Sequence, residues 1–120
     1  MGELHYRQGE LETARAVLGN ALRRARELGL LFGQARALHT LGELHAAEGD
    51  LGEALRCLTE SVRLSRLVGI PRVLARALDR LGAVQASAGD AAAAAEARQE
   101  ARRVLAAVDP TVSGRTANRR

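Results

Sequence analysis

Apolar residues along this chain recur at helical spacing, in stretches separated by short breaks that carry glycine. Ala35, Leu38, Leu41, Leu44 and His45 mark one face of a helix predicted over about Phe32 to Glu48. Gly49 ends it, because glycine tolerates the left-handed C-terminal conformation. Asp50 then caps a second helix, and Glu53 three residues on makes a capping-box-like pattern. That helix runs from about Leu51 to Leu67, with Ala54, Leu55, Leu58, Val62 and Leu64 inward, and Gly69 ends it. Pro71 suits the first turn of the next helix. Two more helices follow, over about Arg72 to Ala88 and Ala91 to Val108. Ahead of them lie a short helical piece, Gly2 to Gln8, and a helix over about Leu11 to Leu28.

These pairs repeat with a period of 40 residues. Gly2, Gly42 and Gly82 share one phase, as do Gly9, Gly49 and Gly89, and Ala14, Ala54 and Ala94. Ala35-Arg36-Ala37-Leu38 recurs as Ala75-Arg76-Ala77-Leu78, and Leu41-Gly42 as Leu81-Gly82. Glycine inside a helix costs about 1 kcal/mol relative to alanine. Its return at one phase implies close approach of the paired helix, with Ala54 small on the other side. The predicted fold is all-α: an α-solenoid of antiparallel helical hairpins, about two and a half units long. The units read as 1–29, 30–69 and 70–108, and 109–120 reads as a disordered basic tail.

Leu38, Leu41, Gly42 and His45 on one helix, and Ala54, Leu58 and Ser61 on the next, resemble the tetratricopeptide repeat (TPR) pattern. Leu78, Leu81, Gly82, Gln85 and Ala94 repeat most of it. His5, His45 and Gln85 stand where the family usually has tyrosine, its late proline is absent, and the period exceeds the usual 34 or so. This long form resembles the C-terminal TPR region of large bacterial transcriptional regulators, among them actinobacterial antibiotic regulatory proteins and large LuxR-type activators. It is similar also to the arrays of peptide-sensing regulators and of eukaryotic polarity adaptors. The resemblance implies a scaffold that binds a protein or peptide partner. It further implies a concave groove lined by the first helix of each hairpin. By position that groove presents Glu3, Tyr6, Arg7, Arg36, His39, Glu43, Arg76, Asp79 and Ala83. Arg7, Arg36 and Arg76 would clamp a carboxylate-bearing peptide, with Tyr6 as an amphipathic anchor. The same residues also describe an ordinary solvated helix face.

Met1 stands in phase with Leu41 and Leu81, so the first unit reads as cut short. Leu4, Leu11, Leu18 and Leu22 would then lack cover. Two kinds of explanation fit: a piece of a longer protein or a mis-started reading frame, or an authentic short protein that hides this edge by dimerising. The other end reads as a cap, because Arg98 and Arg102 replace Leu58 and Val62.

Charge and composition narrow the chemistry. The net charge of +4 is mostly a tail effect, since Arg115, Arg119 and Arg120 carry no acid beside them. Nucleic-acid contact through three tail arginines would be weak, and the body has no basic stripe beyond Arg23, Arg24 and Arg26. The chain has no lysine, which excludes Schiff-base and P-loop chemistry. Cys57 is the only cysteine, so no internal disulfide forms. With no leader-like start at Met1-Gly2-Glu3-Leu4-His5 and no long apolar run, the expectation is a cytoplasmic chain without a membrane span.

No catalytic constellation emerges. Ser61, Ser65, Ser87 and Ser113 lack a nucleophile-elbow context. His5 and His45 share a repeat position without an evident thiol or carboxylate partner, so no metal site is expected. Cys57 reads as a quiet, half-buried thiol with no histidine beside it in the helical register. Glu60 with Arg63, and Arg56 with Glu60, read as solvated surface pairs. The chain is therefore expected to be no enzyme and to need no cofactor.

Overall fold

The computed structural model describes residues 8–108. The Gly2 to Gln8 helical piece up to Arg7, including Glu3, Leu4, His5, Tyr6 and Arg7, and the arginine tail 109–120 lie outside the described residues. Five helices follow one another: α1 (Gln8–Leu28), α2 (Leu31–Ala47), α3 (Leu51–Val68), α4 (Pro71–Ser87) and α5 (Ala91–Val108). No strand occurs among the described residues. The fold is an all-α stack of antiparallel hairpins, as the hydrophobic spacing predicts. Each helix packs chiefly on its neighbours in sequence, and α2 also touches α4.

The turns explain why the helices stop where they do. After α2, the Gly49 N–H donates to the Ala46 carbonyl and the Asp50 N–H to the His45 carbonyl. The Gly89 and Asp90 N–H groups repeat this on Ala86 and Gln85. This double bond pattern satisfies the last carbonyls of the helix and requires a left-handed residue between. Gly49 and Gly89 supply it, at φ 85° and 90°. The next helix starts at once, because a carboxylate oxygen of Asp50 accepts from the Glu53 N–H (3.2 Å) and that of Asp90 from the Ala93 N–H (3.1 Å).

Gly9 departs from this scheme. It shares the phase of Gly49 and Gly89 but lies inside α1, which is already helical from Gln8, before the predicted start near Leu11. Glu10 stands where Asp50 and Asp90 stand, and the longer side chain is not a favoured N-cap, so nothing sets a new helix start there.

Two apolar clusters form the core. One joins Leu22 of α1 to Ala35, Ala37 and Leu38 of α2 and Leu64 of α3. The other joins Ala54, Leu58 and Val62 of α3 to Leu78, Leu81 and Val84 of α4 and Ala97 and Ala101 of α5. Leu22 is thus covered, while Leu11 and Leu18 are half-buried and Val17 is exposed. Leu55, Leu41, Leu44 and His45 are half-buried, and Leu55 and Leu41 pack against the edges of these clusters. The close approach predicted at Gly42 is real, and the nearest atoms belong to Leu58: a Cβ on Gly42 would lie 2.6 Å from Leu58 Cγ. The buried Ser61 hydroxyl donates to the Ala35 carbonyl at 2.8 Å and ties α3 to α2.

Ion pairs sit on the surface. Arg63 pairs with Glu60, and this hydrogen bond holds the Glu60 carboxyl below its usual range. Arg56 bonds both oxygens of Glu53, at 3.1 and 3.0 Å, and not Glu60. Glu53 lies one turn back on the same face, and Glu60 is already taken by Arg63. Arg66 reaches from α3 to Glu100 of α5 (2.9 Å) and lowers that carboxyl in the same way.

Candidate functional site

The contact between α2 and α4 leaves a groove along the first helices of two successive hairpins. Arg36, His39 and Glu43 face it from α2, at i, i+3 and i+7. Arg76 and Asp79 face it from α4. The five described residues assigned to the groove by position therefore share one surface. Ala83 does not line it and is half-buried. Arg80 and the α5 residue Arg98 line that end of the groove instead.

Other lining residues were not singled out in the sequence. Arg72 lies one turn before Arg76 and Arg80 one turn after, so the helical rule that selects Arg76 also selects them. Phe32 and Thr40 follow from the same rule on α2. Ser61 and Ser65 are different, because they rise from α3 into the floor of the groove and no single-helix pattern places them there. Ser65 is fully buried, and its hydroxyl has no hydrogen-bond partner among the described residues.

The charges are partly committed. Glu43 is shared: His39 Nε2 lies 3.4 Å and Arg80 Nε 3.1 Å from its carboxylate. Burial holds the His39 imidazole below its ordinary pKa, opposed by Glu43 and reinforced by Arg76 and Arg80. His39 is therefore a neutral groove residue at pH 7. The Arg36 guanidinium lies 5.8 Å from the centre of the Phe32 ring, within cation–π range. The groove combines an arginine-rich wall, one apolar ring and a buried hydroxyl floor. It can accept hydrogen bonds from few groups and donate many, which suits an acceptor-bearing ligand.

A second cluster lies at the turn between α2 and α3. His45, Glu53 and Cys57 bring one ligand atom each to within 4.8 Å of one another. The expectation that neither thiol nor carboxylate accompanies His45, and that no histidine accompanies Cys57, is therefore corrected. The register within one helix shows only Glu53 and Cys57, and the tight turn adds His45 from the preceding helix. Burial, with Glu53 nearby, raises the Cys57 thiol above its ordinary pKa, so it is not an activated nucleophile.

The tetratricopeptide repeat family model matches residues 1–67. The chain belongs to the tetratricopeptide repeat family. Repeats of this family generally mediate protein–protein interaction, and such scaffolds are generally non-catalytic. The crystal structure of BtubC (BKLC) from P. vanneervenii is similar in fold, with a TM-score of 0.78 and 24% sequence identity over 92% of this chain. This TPR chain spans 44% of the length of that one. No curated protein matches the sequence. No described TPR helix is long and apolar enough to cross a membrane.

Proposed function

We propose that the α2–α4 groove holds an extended segment of a partner protein through its carboxylate groups. The observation that carries this reading is Arg36 and Arg76 facing one groove from two helices above the unpartnered Ser65 hydroxyl. Guanidinium groups bind carboxylates in a two-point geometry, and hydrogen bonds to charged groups contribute more than neutral ones. Phe32 beside Arg36 offers an apolar contact for a flanking side chain. Glu43, engaged by Arg80, serves to hold the groove wall rather than the ligand.

The wider reading is the C-terminal scaffold region of a cytoplasmic bacterial regulatory protein built on a 40-residue form of the repeat. Its support is the recurrence of Ala35-Arg36-Ala37-Leu38 as Ala75-Arg76-Ala77-Leu78 in an arginine-only, alanine-rich chain.

The groove is tested with fluorescein-labelled glutamate-rich peptides and their glutamine counterparts, by anisotropy. The acidic peptide should bind, the glutamine one should not, and Arg36→Ala with Arg76→Ala should weaken binding by about tenfold or more. Equal binding by wild type and the double variant sinks the reading. A second reading, self-association through the open face of α1, is favoured by the exposed Val17 and half-buried Leu18. A monomer by sedimentation at micromolar concentration would remove it.

A further inference from the structure

We propose that His45, Glu53 and Cys57 form a binding site for a divalent ion of borderline softness, Zn(II) above all, on the face opposite in function to the groove. Three ligand atoms of three different kinds, an imidazole nitrogen, a carboxylate oxygen and a sulfur, lie within 4.8 Å of one another. Nitrogen and sulfur ligands select Zn(II) over Mg(II) and Ca(II), which take oxygen. Three protein ligands leave one position of a tetrahedral ion open to solvent.

The backbone holds these residues together before any ion arrives. Glu53 and Cys57 are four residues apart on α3 and share one helical face. His45 is fixed against them by the turn itself, because its carbonyl accepts the Asp50 N–H at 2.9 Å and the Glu48 N–H at 3.1 Å. Asp50 in turn accepts the Glu53 N–H. The residue that caps α3 therefore links the backbones of two of the ligands. All three side chains are half-buried, so an ion could reach them from solvent while losing part of its hydration.

One interaction competes. The Arg56 guanidinium bonds both Glu53 oxygens. The Arg56 side chain is well exposed at 74% and that of Glu53 partly so at 43%, and exposed pairs contribute little. A dication shared by three ligands would displace Arg56, which can swing into water.

Cobalt(II) titration of the full chain under reducing conditions tests the site, since Co(II) bound by a thiolate shows a sulfur-to-metal charge-transfer band. The expected result is one ion per chain, displaced by Zn(II), with the thermal midpoint raised by Zn(II) and returned by chelator. Cys57→Ser should abolish the band. His45→Gln and Glu53→Gln should each weaken Co(II) binding by at least about tenfold, the lower end of what loss of even an outer-shell partner costs. Arg56→Ala touches no core residue and should tighten binding by freeing Glu53. The proposal is overturned if wild type shows no band, or if it binds one ion per two chains. It is overturned also if His45→Gln and Glu53→Gln, with helical circular dichroism intact, bind Co(II) as tightly as wild type. That last pattern would mean a lone surface thiol.

Discussion

Gly42 and Gly82 occupy the same phase, 40 residues apart, in the middle of α2 and α4. Their neighbours differ. Gly42 faces the branch carbon of Leu58, which is fully buried. Gly82 faces Arg98 Cγ at 3.1 Å, the Ala94 carbonyl oxygen at 3.2 Å and Ala97 Cβ at 3.5 Å. The α2–α3 hairpin closes its seam with a large apolar side chain. The α4–α5 hairpin closes it with small residues and the stem of an exposed arginine. All the buried α5 positions are alanines: Ala94, Ala97 and Ala101. The backbone arrangement of a hairpin thus tolerates two fillings, provided that glycine keeps the seam narrow. Which filling is used depends on whether another helix lies beyond: α3 is packed between α2 and α4, whereas among the described residues α5 packs on α4.

The largest predicted effect separates the two fillings at one repeat position. Leu58→Ala should cost roughly 2–5 kcal/mol in denaturant unfolding, because it removes a buried side chain and leaves a cavity. Arg98→Ala should change stability by less than about 0.5 kcal/mol, as for other exposed sites. Equal costs at the two positions would break the comparison.

Next come the glycines. Gly42→Ala gains about 1 kcal/mol of helix propensity but forces Leu58 aside, and overpacking costs about 1–3 kcal/mol. The net change should be destabilising. Gly82→Ala should be milder, because Arg98 can move into solvent and only the Ala94 carbonyl resists. Adding Leu58→Ala to Gly42→Ala should cost less than the sum of the two single changes, since the shortened side chain makes room. Simple additivity would show that the glycine does not serve Leu58.

The caps should be alike in the two hairpins. Asp50→Ala and Asp90→Ala should each lower stability by about 1 kcal/mol, the typical loss for an N-cap carboxylate. A clear excess at Asp50 would point to a further role at the His45 turn.

The smallest effect probes the seam between the hairpins. The folded pKa of His39 lies below its ordinary 6.5. As pH falls below that value the unfolded chain takes up the proton first, so stability is lost from about 6.5 down through the lowered value and is level above. Glu60 and Glu100 add their losses lower, below the ordinary carboxyl value of 4.5. His39→Gln should flatten the thermal midpoint between the two ranges while leaving the acid limb in place. An unchanged slope would exclude His39 as its source.

Much of this was legible in the sequence. Helix ends at Gly49 and Gly69, the cap at Asp50 and a first-turn Pro71 are local chemistry, and the structure places them within a residue or so of prediction. The groove positions Arg36, His39, Glu43, Arg76 and Asp79 follow from helical periodicity together with the resemblance to TPR proteins. Gly9 misled, because its phase matches a turn that needs an aspartate one position later, and Glu10 stands there.

Other features depend on which side chains meet across helices. The Ser61 and Ser65 floor, the Arg80–Glu43 bridge and the Leu58 contact with Gly42 all join residues that no single-helix register relates. The same holds for His45 beside Glu53 and Cys57, where a three-residue turn brings together atoms from two helices. The sequence by itself determined the class, the helices and the faces they bury, because hydrogen bonds within a helix and its caps are local in the chain. The tertiary structure alone decided the partners of each buried or charged side chain, because packing and electrostatics act through space and not along the sequence.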